Sequence, residues 1–139
     1  MSVHAGEVHL STRGDGDVID LTDAVAGVVR DSGIEHGVAA VFVPGATAAV
    51  TAMEFEPGGV HDLRETLERL VPAAGEYEHN RLNRDSNSHA HIRAAIVGPS
   101  ETVPVREGRL VTGTWQQVVL LDFDDRPRER TVTVQVFGE

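Results

Sequence analysis

The sequence has no cysteine and no lysine. Without Cys, disulfides, thiolate metal sites and a cysteine nucleophile are excluded. Aromatic residues make up only 4% of the 139 residues, so the core must be built mainly from Val, Leu, Ile and Ala. No apolar run approaches the ~20 residues that span a bilayer. The start, Met1-Ser-Val-His-Ala-Gly-Glu7, lacks the charged-then-apolar order of a signal peptide. These absences set the expectation of a soluble, cytoplasmic protein. Positive charge is also short: 12 Arg stand against 22 acidic residues, for a net charge of -10. A surface of that sign does not attract nucleic acid or an anionic membrane. It leaves room for a local basic pocket that takes a phosphate. An acidic, lysine-free composition is expected of a salt-adapted or GC-rich organism, where salt screens self-repulsion.

What is present is ordinary globular material. The apolar share is 40% and the length suits one domain, expected over 1–139. Val3 to Thr12 reads as an edge strand and Arg13-Gly-Asp-Gly-Asp17 as a turn. Asp20 is a suitable N-cap for a helix carrying Ala24, Val25, Val28 and Val29, with Gly33 as its C-cap. Gly37–Val43 reads as a buried strand and Ala46–Met53 as a second. Val60, Leu63, Leu67 and Leu70 predict a second helix, ending at Val71 before Pro72. Ala73–Ser88 reads as a polar loop. Ile92–Val97, Glu101–Val105, Leu110–Phe123 and Thr131–Phe137 read as four strands, with a hairpin turn at Glu107-Gly108. The expected class is α+β, with a β-sandwich-like core and two helices.

Three of the seven histidines fall between His79 and His91. On a strand, His89 and His91 would share a face and reach one ion, with His79 and Asp85 approaching from the loop. Imidazole and carboxylate suit zinc or another divalent cation. The same segment also reads as a polar loop with solvated histidines. Glu54 and Glu56 read as a solvated strand end or as a carboxylate pair for acid/base work or magnesium. Arg93 and Arg109 flank the histidine segment and are placed to receive a phosphate, or are solvated on a strand face. Asp122, Asp124, Asp125, Arg126, Arg128 and Arg130 read as a solvated hairpin. Trp115, the single Trp, reads as core or interface packing. No Ser-His-Asp signature, Rossmann glycine pattern or His-Glu-x-x-His motif is present.

Three groups of motifs resemble a known family. The first is Val43-Pro-Gly-Ala-Thr-Ala-Ala-Val-Thr51 with Met53-Glu54-Phe-Glu-Pro-Gly58. The second is Tyr77-Glu-His79 with Asp85-x-Asn87-x-x-x-His91-Ile-Arg93. The third is Val97-Gly-Pro-Ser100, Val103-Pro104, Gly108-Arg-Leu110 and Gly113-Thr-Trp-Gln116. In this order, over nearly the whole chain, they are similar to the YjbQ-like family, named for a secondary thiamine-phosphate synthase activity. The resemblance implies an α+β homotrimer with a polar site near a subunit boundary. It implies a divalent metal, zinc or magnesium, at His79, Asp85 and His91, with His89 at a variable position. It further implies catalytic roles for Glu54, Arg93 and Arg109, and contacts from Thr47, Asn87, Ser100 and Thr114 to a small phosphorylated substrate. The implied reaction joins a hydroxymethylpyrimidine diphosphate to a thiazole phosphate and releases pyrophosphate. Many members carry a His where this chain has Gly45, and a hydroxyl residue where it has Ala46. Two other functions share the same residues: a metal-dependent hydrolase or lyase on a small phosphorylated substrate, and a non-catalytic trimer that binds a metal or ligand.

Overall fold

A computed structural model describes residues 1–139. Its strands are β1 (Ser2–Thr12), β2 (Asp17–Asp20), β3 (His36–Phe42), β4 (Ala48–Met53), β5 (Ser100–Arg106), β6 (Arg109–Leu110), β7 (Gln117–Asp122) and β8 (Arg128–Gly138). Its helices are α1 (Thr22–Ser32), α2 (Pro57–Leu70), α3 (Glu78–Asn83) and α4 (Ser88–Val97). A five-stranded sheet runs β1-β8-β3-β5-β6, and a three-stranded sheet runs β2-β7-β4. Every pairing is antiparallel.

The packing explains the sequence pattern. Val132, Val134 and Val136 of β8 point inward with Ala39 and Val41 of β3, and they meet Val118 and Leu120 of β7 and the Val25 and Val29 stripe of α1. The opposite face of the small sheet, Ala49, Val119 and Leu121, packs on Leu67 of α2 and Ala90 and Ala94 of α4. The small sheet is thus covered on both faces. That is why β7 reads as an unbroken apolar run rather than an alternation.

The large sheet has an outer face that no helix covers. Its register aligns Val3 with Phe137, Phe137 with Val38, and Val38 with Pro104, making one apolar row across four strands. The neighbouring row is Ala5, Gln135, Ala40 and Thr102.

The expected α+β class is observed, with twice the expected number of helices. Gly33 caps α1 at φ 68°. Asp20 accepts the Thr22 N–H at 2.9 Å, one residue outside the cap position. Glu56 caps α2 by accepting the Gly58 and Gly59 N–H groups, which gives this carboxylate a structural role. The Glu107-Gly108 turn has positive φ at both residues, as a two-residue hairpin requires.

Five expectations are corrected. Ile92–Val97 belongs to a helix, not a strand. The loop before it contains α3. Leu110–Phe123 is broken by a turn in which the Gln116 N–H donates to the Gly113 carbonyl. The charged run at Asp122–Arg130 is not a solvated hairpin: Asp122, Asp124 and Arg130 are buried. Trp115 is 74% exposed, so it is not a core residue.

Candidate functional site

The segment from Tyr77 to His91 folds as two short helices joined by a tight turn. Tyr77 anchors the start, its hydroxyl donating to the Pro72 carbonyl at 2.6 Å. Arg84 closes α3 in the left-handed region, at φ 52°. Asp85 and Ser86 form the turn, and Asn87 stands at the N-cap of α4. This geometry brings the rings of His79 and His91 to 4.7 Å between centroids.

His79 is the centre of the cluster. Its Nε2 lies 3.3 Å from Asn87 Oδ1 and 3.6 Å from Asp85 Oδ2. Its Nδ1 lies 3.5 Å from the Asn83 side-chain amide nitrogen. His91 borders an open cleft of about 270 Å³ whose other walls are Gly45, Ala46, Ala48, Ala94, Ala95 and Pro99. Gly45 sits against a buried guanidinium: a Cβ placed there would lie 2.9 Å from an Arg130 nitrogen.

The other sequence-predicted residues make no side-chain hydrogen bond to His79 or Asp85. His89 and His91 are two residues apart on a helix, about 200° around its axis, so they do not share a face. His89 is buried, and its Nδ1 has no partner. Burial lowers its pKa, and the Arg93 charge adds to the effect, against opposition from Asp125 and Glu68. Arg93 is buried as well. It donates to the Val71 carbonyl at 2.7 and 3.1 Å and to Glu68 at 2.5 Å, tying α4 to the end of α2. Its hydrogen bond lowers the Glu68 pKa. Arg109 lines a different cleft, between α1 and the β5–β6 hairpin. Glu54, Ser100 and Thr114 are exposed and make no side-chain hydrogen bond to the cluster. Thr47 is buried, and its hydroxyl is engaged by Asp124 and Arg130.

No three His, Asp or Glu side chains stand close enough to share an ion. The convergent set is mixed: an imidazole nitrogen, a carboxylate oxygen and an amide oxygen. Such a set suits zinc in type, since zinc takes N and O ligands, better than magnesium, which takes O. The two oxygens stand 3.3 and 3.6 Å from His79 Nε2. Metal–donor bonds of about 2.0–2.2 Å put neighbouring donors roughly 3.0–3.6 Å apart.

Behind the cluster lies a network that the sequence reading treated as solvent-exposed. Arg130 donates to both oxygens of Asp122, at 2.8 and 2.9 Å, and to Thr47 Oγ1 at 2.8 Å. Thr12 donates to Asp122 at 2.6 Å. Asp124 accepts from Arg128 at 2.7 Å and from the Asn87 amide at 3.4 Å. Desolvation opposes the charge on Asp124. The Asp125 N–H, the Asn87 amide and Arg128 outweigh it and lower the pKa. A signal for this network was present in the sequence. Arg130 has the same parity as Val132, Val134 and Val136, so extending the β8 alternation backwards turns it inward.

A family model described as "UPF0047 protein YjbQ-like" matches residues 6–139. A UPF0047 protein of Methanothermobacter thermautotrophicus is 37% identical over 139 residues, covering 100% of this chain and 95% of its own. One from Archaeoglobus fulgidus is 40% identical over 129 residues, covering 93% and 98%. The crystal structure of a YbjQ-like protein of unknown function from Sulfolobus solfataricus P2 superposes with a TM-score of 0.94 at 36% identity, covering 99% of each chain.

Proposed function

The chain belongs to the YjbQ-like UPF0047 family, and we propose that it binds a divalent cation, zinc or magnesium, at His79, Asp85 and Asn87 and acts there on a small phosphorylated substrate. One observation carries this reading: two oxygen acceptors flank a single imidazole nitrogen at 3.3 and 3.6 Å. The ring there either donates one proton to them or shares one cation with them.

The reaction we assign to the site is thiamine-phosphate synthesis from a hydroxymethylpyrimidine diphosphate and a thiazole phosphate. The thiazole nitrogen is the nucleophile, so the protein has to supply none. A bound cation supplies positive charge for the departing diphosphate. Neither arginine that the sequence offered for phosphate is free to supply it there: Arg93 is committed to Glu68 and Val71, and Arg109 lines another cleft. The cleft beside His91, walled by glycine and alanines, offers a flat ring an apolar bed.

The test pairs uptake with rescue. Purified protein should take up zinc or magnesium, and His79→Ala should not. Wild type, but not His79→Ala, should restore growth of a thiamine-requiring host that lacks its main synthase. Metal uptake without rescue at good expression would reject the synthase activity. No uptake at all would reject the cation site.

We also propose a homotrimer. The uncovered apolar row Val3, Phe137, Val38 and Pro104 and the exposed Trp115 support self-association. Sedimentation equilibrium reads the mass directly, and a monomer at micromolar concentration would reject it.

A further inference from the structure

We infer that Asp124 is a positioning residue for the His79 cluster: by orienting the Asn87 amide, it sets which ring nitrogen of His79 carries the proton. The inference deepens the reading of this cluster as the working site.

Asp124 is 1% exposed and sits on the corner between β7 and β8. Its backbone is held there, because its carbonyl accepts the Asp15 N–H at 2.6 Å and the preceding Phe123 N–H donates to the Thr47 carbonyl at 2.9 Å. Its carboxylate faces donors on every side. One oxygen accepts the Asp125 N–H at 2.9 Å and the Asn87 amide at 3.4 Å. The other accepts Arg128 at 2.7 Å and the Thr47 hydroxyl at 3.3 Å.

A carboxylate with this set of donors can only accept. The Asn87 side chain must therefore turn its NH₂ toward Asp124. Its oxygen then points the other way, to His79 Nε2. An amide oxygen also only accepts, so Nε2 must be the nitrogen that carries the hydrogen. The opposite edge of the ring agrees. There Nδ1 faces the NH₂ of Asn83, whose orientation is fixed by donation to the His79 carbonyl at 3.0 Å. A donor at Nδ1 and acceptors at Nε2 select one neutral tautomer. The same orientation keeps the Asn87 oxygen available as a ligand when a cation takes the place of the Nε2 proton. Without Asp124, the amide is free to rotate its NH₂ toward His79, and that ligand is lost.

The experiment uses the full chain, ¹⁵N-labelled, freed of metal by chelation and held at a pH well above the histidine range. Long-range ¹H–¹⁵N correlations report the His79 tautomer. Cobalt titration, read by its visible absorption, reports cation affinity. Wild type should show the Nε2–H tautomer. Asp124→Asn, with an unchanged circular dichroism spectrum, should show a mixture of tautomers and bind cobalt about 10–100-fold more weakly. A role confined to stability would leave the tautomer in place. An Nδ1–H tautomer in wild type overturns the inference, as does a folded Asp124→Asn with the same tautomer and affinity. If Asp124→Asn does not fold, Asp124→Glu, which keeps the charge and displaces the oxygens, is read in the same two ways and decides. Absence of cobalt binding by wild type would reject the cation reading and leave the tautomer to judge Asp124.

Discussion

Replacing Arg130 with Met should be among the most damaging single changes in this chain. Arg130 meets Asp122 through two hydrogen bonds, at 2.8 and 2.9 Å, and the acid is fully buried. Arg130→Met removes the positive partner and keeps most of the apolar stem. Asp122 is left with the Thr12 hydroxyl and the Asp124 N–H, both neutral donors. Stranding one charge of a buried pair costs about 3–5 kcal/mol. The two remaining donors place the expected loss near the lower end, about 3 kcal/mol. At this chain length that is roughly a 10 °C fall in Tm. Urea denaturation of wild type and variant at neutral pH, with m values compared, measures it. The double change Asp122→Leu with Arg130→Met should lose less than Arg130→Met alone, because no charge is stranded. A loss under about 1 kcal/mol for Arg130→Met at unchanged m would refute this reasoning. It would mean that the pair is solvated, as the charge run suggests on its face.

Other consequences can be measured in the same preparations. Gly45→Ala should destabilise by about 1–3 kcal/mol, because its Cβ meets the Arg130 guanidinium at 2.9 Å where the backbone has φ 153°; urea melts check this. The Glu68 pKa is lowered when folded, so its contribution is present above the ordinary carboxylate range and lost as pH falls through the folded value. The stability gap between wild type and Glu68→Gln should therefore narrow below about pH 4.5, and a gap constant down to pH ~3 would contradict the Arg93 pairing. Trp115 is the sole indole, so its fluorescence reports one place. Acrylamide should quench it freely in a monomer and less in a trimer that covers it.

The sequence made some elements plain and concealed others for physical reasons. β8 alternates strictly, and α1 has both its apolar stripe and its terminal glycine. α4 did not show itself because Ile92-Arg-Ala-Ala-Ile-Val97 is short, apolar and partly β-branched. Such a run fits a strand as well as a helix, and on α4 Ile96 faces solvent while Arg93 is buried. α3 has six residues and none buried, so no stripe marked it. Of the candidate site, one grouping was legible: His79, Asp85, Asn87 and His91, which the resemblance singled out together, lie in one region. The strand argument for pairing His89 with His91 failed along with the strand. The buried charges were hidden because charge in a sequence reads as solvent exposure. Whether an Asp finds an Arg in the interior is decided by strand register, and no local pattern reports that.

The contact between Gly45 and Arg130 also governs how this sequence can drift. With the present backbone, a side chain at 45 requires the guanidinium to withdraw. Withdrawal unpairs Asp122 and loosens Thr47, both of which lie behind the cluster. The two positions are therefore epistatic. A lineage can place a bulky residue at 45 only after, or together with, a change at 130 or in the path of its loop. Among relatives, the residue types at 45 and 130 should change as a pair, and those with a side chain at 45 should carry a differently routed Arg130 or a different residue there.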